Sequence, residues 1–325
     1  MLRLLLLPLL AFVAVSCQQQ DRTAGLTPKV IFIIVDGIPA DVLESVPTPT
    51  IDAIARAGGY ARAYVGGEAG GASESPTVSA VGYNSLLTGT WANKHNVYTN
   101  AIEEPDYGYW DIFRLTKNHD QGLQTALFST WEDNRTKLIG DGLAEAGGNK
   151  LDYFFDGFEN DQQRFPHDEA SEYIKAIDEL VSNEAARYVR EQGPDLSWVY
   201  LQYTDDVGHR FGDSDELAAA VTLMDGNVGK IWQAMNSRQQ SEREDWLLVV
   251  TTDHGRDSET GRRHGSQSAR ERTIWIATNS TRLNEHFSAT LAIVDILPSL
   301  TTHLGIEIPA AIGDRLDGQS FIARE

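Results

Sequence analysis

The apolar positions of this chain gather into short unbroken runs, separated by longer stretches with helical spacing. Lys29-Val-Ile-Phe-Ile-Ile-Val35 is rich in β-branched residues and has no polar interruption, which suits a central strand buried on both faces. Comparable runs recur at Thr125 to Ser129, Trp198 to Tyr203, Trp246 to Thr252 and Thr273 to Ala277. Amphipathic helical patterns lie between and after them, at Thr50 to Ala57, Ser171 to Gln192, Ser214 to Asn236 and Ile293 to Leu304. Buried strands alternating with such helices predict an α/β fold, a three-layer α/β/α sandwich on a doubly wound, mostly parallel sheet. No internal repeat or low-complexity linker divides residues 28–325, so they read as one domain. The 100–166 region is richer in aromatic and acidic residues and is where a substrate cap could be inserted.

The first seventeen residues do not belong to that pattern. One early arginine, a short apolar run and the small residues before Cys17 read as a secretory signal, too short to span a membrane as a stable helix. Ala14-Val15-Ser16-Cys17 resembles a bacterial lipoprotein cleavage box, which would make Cys17 the lipidated first residue of a periplasm-facing envelope lipoprotein. The alternative is an ordinary signal peptide with an incidental cysteine. Residues 18–27 are small and polar and read as a tether. Cys17 is the chain's single cysteine, so no intrachain disulfide can form and the exported domain must rest on its core.

Composition is ordinary for a globular chain of 325 residues, with 41% hydrophobic and 23% charged residues. Charge changes the picture more. A formal net charge of −20 argues against a nucleic-acid polymer as partner. A small phosphorylated substrate remains compatible, because bound metal ions can invert the field of an acidic pocket.

The candidate chemistry lies just beyond the strand ends. The first run ends in Asp36-Gly37, the Trp198 run leads into Thr204-Asp205-Asp206-Val-Gly-His209, and the Trp246 run ends in Thr252-Asp253-His254-Gly255. In open α/β sheets ligands bind beyond the carboxyl ends of the strands, so these acids should face one crevice. Two unit charges about 4 Å apart interact by about 4 kcal/mol at an effective dielectric of about 20, so something positive must sit among them. Arg210, Arg256, Arg262 or Arg263 could supply it. Histidines at 209, 254 and 264 favour a metal centre instead, and a mixed Asp/His donor set suits zinc or a similar ion better than magnesium or calcium. Asp205 and His209, four residues apart, would share one face of a helix.

A metal-assisted hydrolase needs a nucleophile, and the segment from Gly71 to Gly89 carries hydroxyls just ahead of a predicted helix. Ser75, Thr77, Ser79 and Ser85 all compete by sequence alone, and the commonest role for such a residue is a helix N-cap.

The ordered set of Val35-Asp36-Gly37, Thr48 to Gly58, Leu87-Thr88-Gly89, Asp205 to His209, Thr252 to Gly255, His264-Gly265, and Asp295 to Leu300 with Asp317-Gly318 resembles the alkaline phosphatase superfamily. Within it, the chain is similar to the phosphodiesterase/nucleotide pyrophosphatase branch, from about Val30 to Phe321. The resemblance implies two divalent ions, one held by Asp205, His209 and His264 and the other by Asp36, Asp253 and His254. It also implies that Ser79, nine residues before Thr88, is a metal-ligating nucleophile that forms a covalent phosphoryl-enzyme. Asp206 becomes a neighbour and His95 a structural residue. The branch usually has a threonine nucleophile followed three residues later by an asparagine that contacts the phosphoryl oxygen. Here Ser79 and Gly82 hold those places, which leaves diester against monoester preference open and makes Asn84 a substitute donor. Val81 and Tyr83 stand where sulfatases carry proline or alanine and then arginine, which speaks against a sulfatase.

The expectation is therefore a two-metal hydrolase of phosphate esters, foremost a phosphodiesterase or nucleotide pyrophosphatase. The alternatives are a phosphomonoesterase, an envelope phospho-group transferase, and a non-catalytic binding protein whose metal is structural. Trp131, Tyr107, Trp110 and Phe128 are aromatic side chains that could stack on a base or serve the core.

Overall fold

The first apolar run forms β1 (Thr27–Val35), and the alternation of its side chains divides the interior into two cores. A computed structural model describes residues 25–324. The expected signal sequence, Cys17 and the tether up to residue 24 lie outside the described residues. The tether, predicted to reach residue 27, ends sooner, because Thr27 already pairs with Glu244 in the sheet.

The other strands are β2 (Gly59–Tyr64), β3 (Thr125–Ser129), β4 (Tyr153–Phe155), β5 (Leu196–Leu201), β6 (Glu244–Thr251), β7 (Thr273–Thr278) and β8 (Leu291–Ala292). The helices are α1 (Ala40–Ser45), α2 (Pro49–Ala57), α3 (Ser79–Thr88), α4 (Ala92–His95), α5 (Ile112–His119), α6 (Glu172–Gln192), α7 (Tyr203–Phe211), α8 (Asp215–Ser241), α9 (Ala269–Arg272), α10 (Ile296–Leu304) and α11 (Ala310–Gly313). Among the described residues one eight-stranded sheet has the order β4-β3-β5-β1-β6-β7-β2-β8. Both neighbours of β7 run antiparallel to it, and every other pairing is parallel. Val30, Phe32 and Ile34 pack towards α3, α5 and α10 on one face. Ile31, Ile33 and Val35 pack towards α2, α6 and α8 on the other. This is the expected three-layer, mostly parallel sandwich, with strands buried on both sides.

Register places the functional ends side by side. Val35 is level with Leu201, and Ile34 is level with Thr251, so the chain leaves β1, β5 and β6 at one edge of the sheet. β1 has β5 on one side and β6 on the other, at the centre of the sheet, where ligand crevices form in doubly wound folds.

Several boundaries differ from the apolar pattern. β5 stops at Leu201 rather than Tyr203, because the carboxylate of Asp178 accepts the N–H groups of Gln202 (3.0 Å) and Tyr203 (2.9 Å) and turns the chain into α7. α8 runs on to Ser241 through polar residues that carry no helix breaker. The Ile293 to Leu304 pattern divides into a 3₁₀ turn at Ile293–Asp295 and then α10. The 100–166 segment contributes β3 and β4 to the edge of the sheet, with a π-helical turn at Asn134–Ile139 between them. Among the described residues no helix is long and apolar enough to cross a membrane.

Candidate metal centre

Asp36, at the end of β1, and Asp253-His254, just beyond β6, meet in an interior pocket with all three side chains buried. Nε2 of His254 is 3.4 Å from Oδ1 of Asp36 and 3.3 Å from Oδ2 of Asp253. Those two oxygens have no hydrogen-bond donor among the described residues. Their partner oxygens are taken. Oδ2 of Asp36 accepts from the Tyr83 hydroxyl and, at 2.6 Å, from the Tyr200 hydroxyl, while Oδ1 of Asp253 accepts from the Gly37 N–H at 3.1 Å. Nδ1 of His254 lies 2.9 Å from the Gly255 carbonyl, a position that requires an N–H, so Nε2 presents a lone pair. Two carboxylate oxygens without donors and a ring-nitrogen lone pair thus converge where no water-exposed surface relieves them.

The protonation energetics carry the same message. Burial pushes the Asp36 carboxyl well up, with the charges of Asp253 and then Asp205 adding to it. Burial pushes Asp253 up to about 7, helped by Asp205. His254 is held well below its ordinary value by burial and by His264. An isolated buried carboxylate is costly, and a cation bound among these atoms removes the cost. Nitrogen and oxygen donors in one buried set fit a divalent ion of the zinc class.

A second cluster lies beside the first. On α7, the four-residue spacing sets Oδ2 of Asp205 3.3 Å from Nε2 of His209. His264 donates from Nδ1 to the Thr77 carbonyl at 2.9 Å, which leaves its Nε2 unprotonated and only 2.9 Å from Nε2 of His209. Two ring nitrogens that close require a proton or a cation between them. The rings of His254 and His264 stack at 3.7 Å and 14°, so the clusters share a wall. Within each set of three, ligand atoms lie within 4.8 Å of one another. His209 is half-exposed, which opens this outer cluster to solvent, whereas the inner one is closed. Burial would raise the Asp205 carboxyl, but Arg256 and then His209 hold it well below the usual range, and the hydrogen bond His209 donates to Asp205 raises His209.

Ser79 is the first residue of α3, and its Oγ is 3.3 Å from Nε2 of His254. Val78 is the N-cap of that helix, and no side chain caps it. The rival hydroxyls are placed differently. Thr77 bridges the Ser266 carbonyl (2.8 Å) and the Gly265 N–H (3.0 Å), Ser85 donates to the Val81 carbonyl (2.7 Å), and the buried Oγ of Ser75 has no partner among the described residues.

Residues 30–299 match the family described as type I phosphodiesterase / nucleotide pyrophosphatase. The chain belongs to that family. Relatives include bis(5'-adenosyl)-triphosphatase enpp4 of Xenopus laevis, 21% identical over 244 residues that make up 74% of this chain and 49% of that protein. Human ectonucleotide pyrophosphatase/phosphodiesterase family member 7 is 24% identical over 251 residues, 72% of this chain and 49% of that protein. The chain thus spans about half the length of these curated relatives. The fold is similar to that of human ectonucleotide pyrophosphatase/phosphodiesterase 5, with a TM-score of 0.57 at 14% identity over 89% of this chain and all of that one.

Within this phosphodiesterase-family chain, the neighbours of Ser79 depart from the expected arrangement. A Cβ at Gly82 would lie 2.8 Å from the Asp253 carbonyl oxygen, so the close approach of α3 to the inner cluster leaves no room for an asparagine there. Asn84 is five residues beyond Ser79, roughly 140° around the helix, and does not share its face. The amide beside Ser79 is that of Asn100, whose Oδ1 accepts the Ala80 N–H at 3.0 Å. Nothing in the sequence singled Asn100 out, because it sits in a polar turn twenty-one residues from Ser79. Asp206 joins neither cluster and accepts from Ser171 (2.8 Å) and Gln202 (3.0 Å). His95 is fully buried against Ser85 at 3.0 Å, and burial pushes it down to about 3.

Of the four aromatic candidates, Phe128 is a core residue packed on Tyr153 and Tyr188. Tyr107 donates to the Lys137 carbonyl at 2.5 Å, and Trp110 lies under the Arg114 guanidinium. Trp131 is half-buried and meets Tyr83 edge-on, with 6.3 Å between ring centroids.

Tyr83 and Tyr200 were not legible as site residues, since a tyrosine in an apolar run reads as core. Their joint hold on one oxygen of Asp36 turns the other towards His254. Tyr83→Phe is expected to cost about 1–3 kcal/mol of stability by removing a buried donor. It should also weaken metal retention about tenfold, as outer partners of metal ligands do. Thermal denaturation and chelator competition read the two effects, and no change in either would show that Tyr200 suffices.

Proposed function

We propose that this chain hydrolyses phosphate diesters, foremost nucleotide-like diesters and pyrophosphates, with Ser79 as nucleophile and two zinc-class ions in the paired Asp/His clusters. One observation carries the reading: two donor-free carboxylate oxygens of the inner cluster, on Asp36 and Asp253, converge with Nε2 of His254 beside the Ser79 hydroxyl, with the outer Asp/His cluster next to them, at the edge where β1, β5 and β6 end. Family membership supports the chemistry, and the relatives named for activity on adenosyl triphosphates and nucleotide pyrophosphates support the substrate class.

In this reading Oγ of Ser79 attacks phosphorus in line and loses its proton, and the bond from phosphorus to the leaving oxygen breaks. Water then attacks the phosphoserine, the Ser79 oxygen leaves and is reprotonated, and one phosphomonoester and one alcohol are released for one water consumed. Each displacement inverts, so configuration at phosphorus is retained overall. The divalent ions, when bound, supply the positive charge that favours the ionised hydroxyl and screens the phosphoryl oxygens. The positive end of the α3 dipole adds to this at Ser79. The Asn100 amide, whose oxygen accepts the Ala80 N–H, offers a neutral donor next to it.

Arg256 offers no pairing for the second charge of a monoester. Arg256, the guanidinium in contact with the outer cluster, is wholly buried and directs its donors at Gly37, Asp205 and Arg262. It is therefore not presented to a phosphoryl oxygen and does not pair with the second negative charge of a monoester. Comparison of kcat/KM for bis(p-nitrophenyl) phosphate and p-nitrophenyl phosphate on the zinc-loaded chain tests this. The diester should be preferred at least about tenfold, with activity lost on chelation; a monoester preference would overturn the assignment.

A further inference from the structure

Arg256 is one of four arginines that could have neutralised the acidic strand ends in place of a metal, and it does reach them. It comes directly after the Asp253-His254-Gly255 turn and is completely buried. Nε donates to the Gly37 carbonyl at 2.9 Å, Nη2 to the Asp205 carbonyl at 2.8 Å and to Oδ1 of Asp205, and Nη1 to the Arg262 carbonyl at 3.3 Å. One planar group thus ties together the chain after β1, the helix after β5 and the loop after β6, which are the three segments that carry the clusters.

The surrounding sequence is shaped to admit it. A Cβ at Gly208, between Asp205 and His209 on α7, would lie 2.2 Å from Cζ of Arg256. A Cβ at Gly37, where φ is +66°, would lie 2.8 Å from Nη2. Glycine inside a helix costs about 1 kcal/mol relative to alanine, so its presence at 208 needs a reason, and the guanidinium supplies one.

Resting on the proposed metal-site reading, we infer that Arg256 is a positioning residue that sets the outer cluster and couples it to the inner one. By holding Oδ1 of Asp205 it leaves Oδ2, the oxygen that faces His209, for the outer ion. It also keeps Asp205 part-neutralised, so the outer ion is the more weakly held and exchangeable of the two. A second consequence is that the outer cluster's geometry depends on the β1 and β6 loops through one side chain.

Arg256→Met and Arg256→Lys in the full chain test this, with zinc and cobalt as the probes. Zinc stoichiometry and competition against a chromophoric chelator should show two ions of unequal affinity in the unaltered chain. Arg256→Met should keep the inner ion and lose about 10- to 100-fold in outer-ion affinity, the scale seen when outer partners of metal ligands are removed. Arg256→Lys should fold, retain the charge and still lose outer-ion affinity, because an ammonium cannot span Gly37 and Asp205 as a planar fork does. The visible spectrum of cobalt at the outer position should change in both. If charge alone mattered, Arg256→Met would bind the outer ion more tightly and Arg256→Lys would match the unaltered chain, and either result would overturn the inference. Failure of the unaltered chain to take up metal would overturn the metal-site reading as well, so the two failures are told apart.

Discussion

Replacing Ser79 with alanine is expected to reduce diester hydrolysis on the order of 10⁴-fold or more while zinc content and thermal stability stay close to those of the unaltered chain. Removing a covalent nucleophile abolishes the two-step path and leaves only the background provided by binding and electrostatics. The alternatives are limited by geometry. Thr77 is bonded on both sides to the 265–266 turn, and Ser85 is directed along its own helix towards Val81 and His95. Metal retention should survive because three side chains remain in each cluster without Ser79. Its Oγ caps no helix and makes one long hydrogen bond, 3.3 Å to Nε2 of His254, so its loss costs little structure. Initial rates beside elemental analysis of the same preparation measure both halves. Turnover within a few-fold of the unaltered chain would remove Ser79 from the mechanism, while a joint loss of rate and zinc would recast it as a ligand only.

Much of the centre was legible because each cluster residue comes after a strand that the apolar pattern already identifies. Asp36 ends a strand buried on both faces, and Asp253-His254 lies beyond another, so topology alone brings them to one edge. Asp205 and His209 needed only the helical period. What stayed hidden depends on contacts across long separations in the chain. Tyr200 is 164 residues from the carboxylate it holds, and Asn100 enters through a turn. β2 was missed because Gly59-Tyr-Ala-Arg-Ala-Tyr64 has a weak alternation; its pairing with the lone antiparallel strand, β7, decides its state. The end of β5 was misplaced for a similar reason, since a carboxylate on α6 terminates it. Among the arginines, sequence could not separate Arg256 from Arg210, which donates instead to the Glu169 carbonyl at the surface.

Removing the metal should destabilise this chain most at alkaline pH. When free ion exceeds its dissociation constant about a thousandfold, binding contributes about 4 kcal/mol, so chelation should lower Tm by about 6 °C for a chain of this size. The pH trend arises from the protons that the empty centre must lose. Asp36 and Asp253 have folded-state pKa values above their unfolded ones, Asp253 at about 7. Between the unfolded and folded values the native state binds more protons than the unfolded state, so stability falls as pH rises. His209, also raised, acts with the same sign as pH passes its folded value. Below about pH 6.5 the depressed His254 and His264 oppose the trend, and Asp205 loses its contribution only at still lower pH, below its unfolded value. From about pH 6.5 upward, through the Asp253 value of about 7, the terms of the centre therefore reinforce one another, at on the order of 1 kcal/mol per pH unit for each proton lost. Asp178, also pushed to about 7, belongs to neither cluster, so its own contribution largely cancels in the difference. The gap in Tm between zinc-loaded and chelated protein should therefore widen across that interval at fixed free zinc. A gap that narrows with rising pH would mean that the buried carboxylates of the empty centre are already ionised and held by something other than a metal.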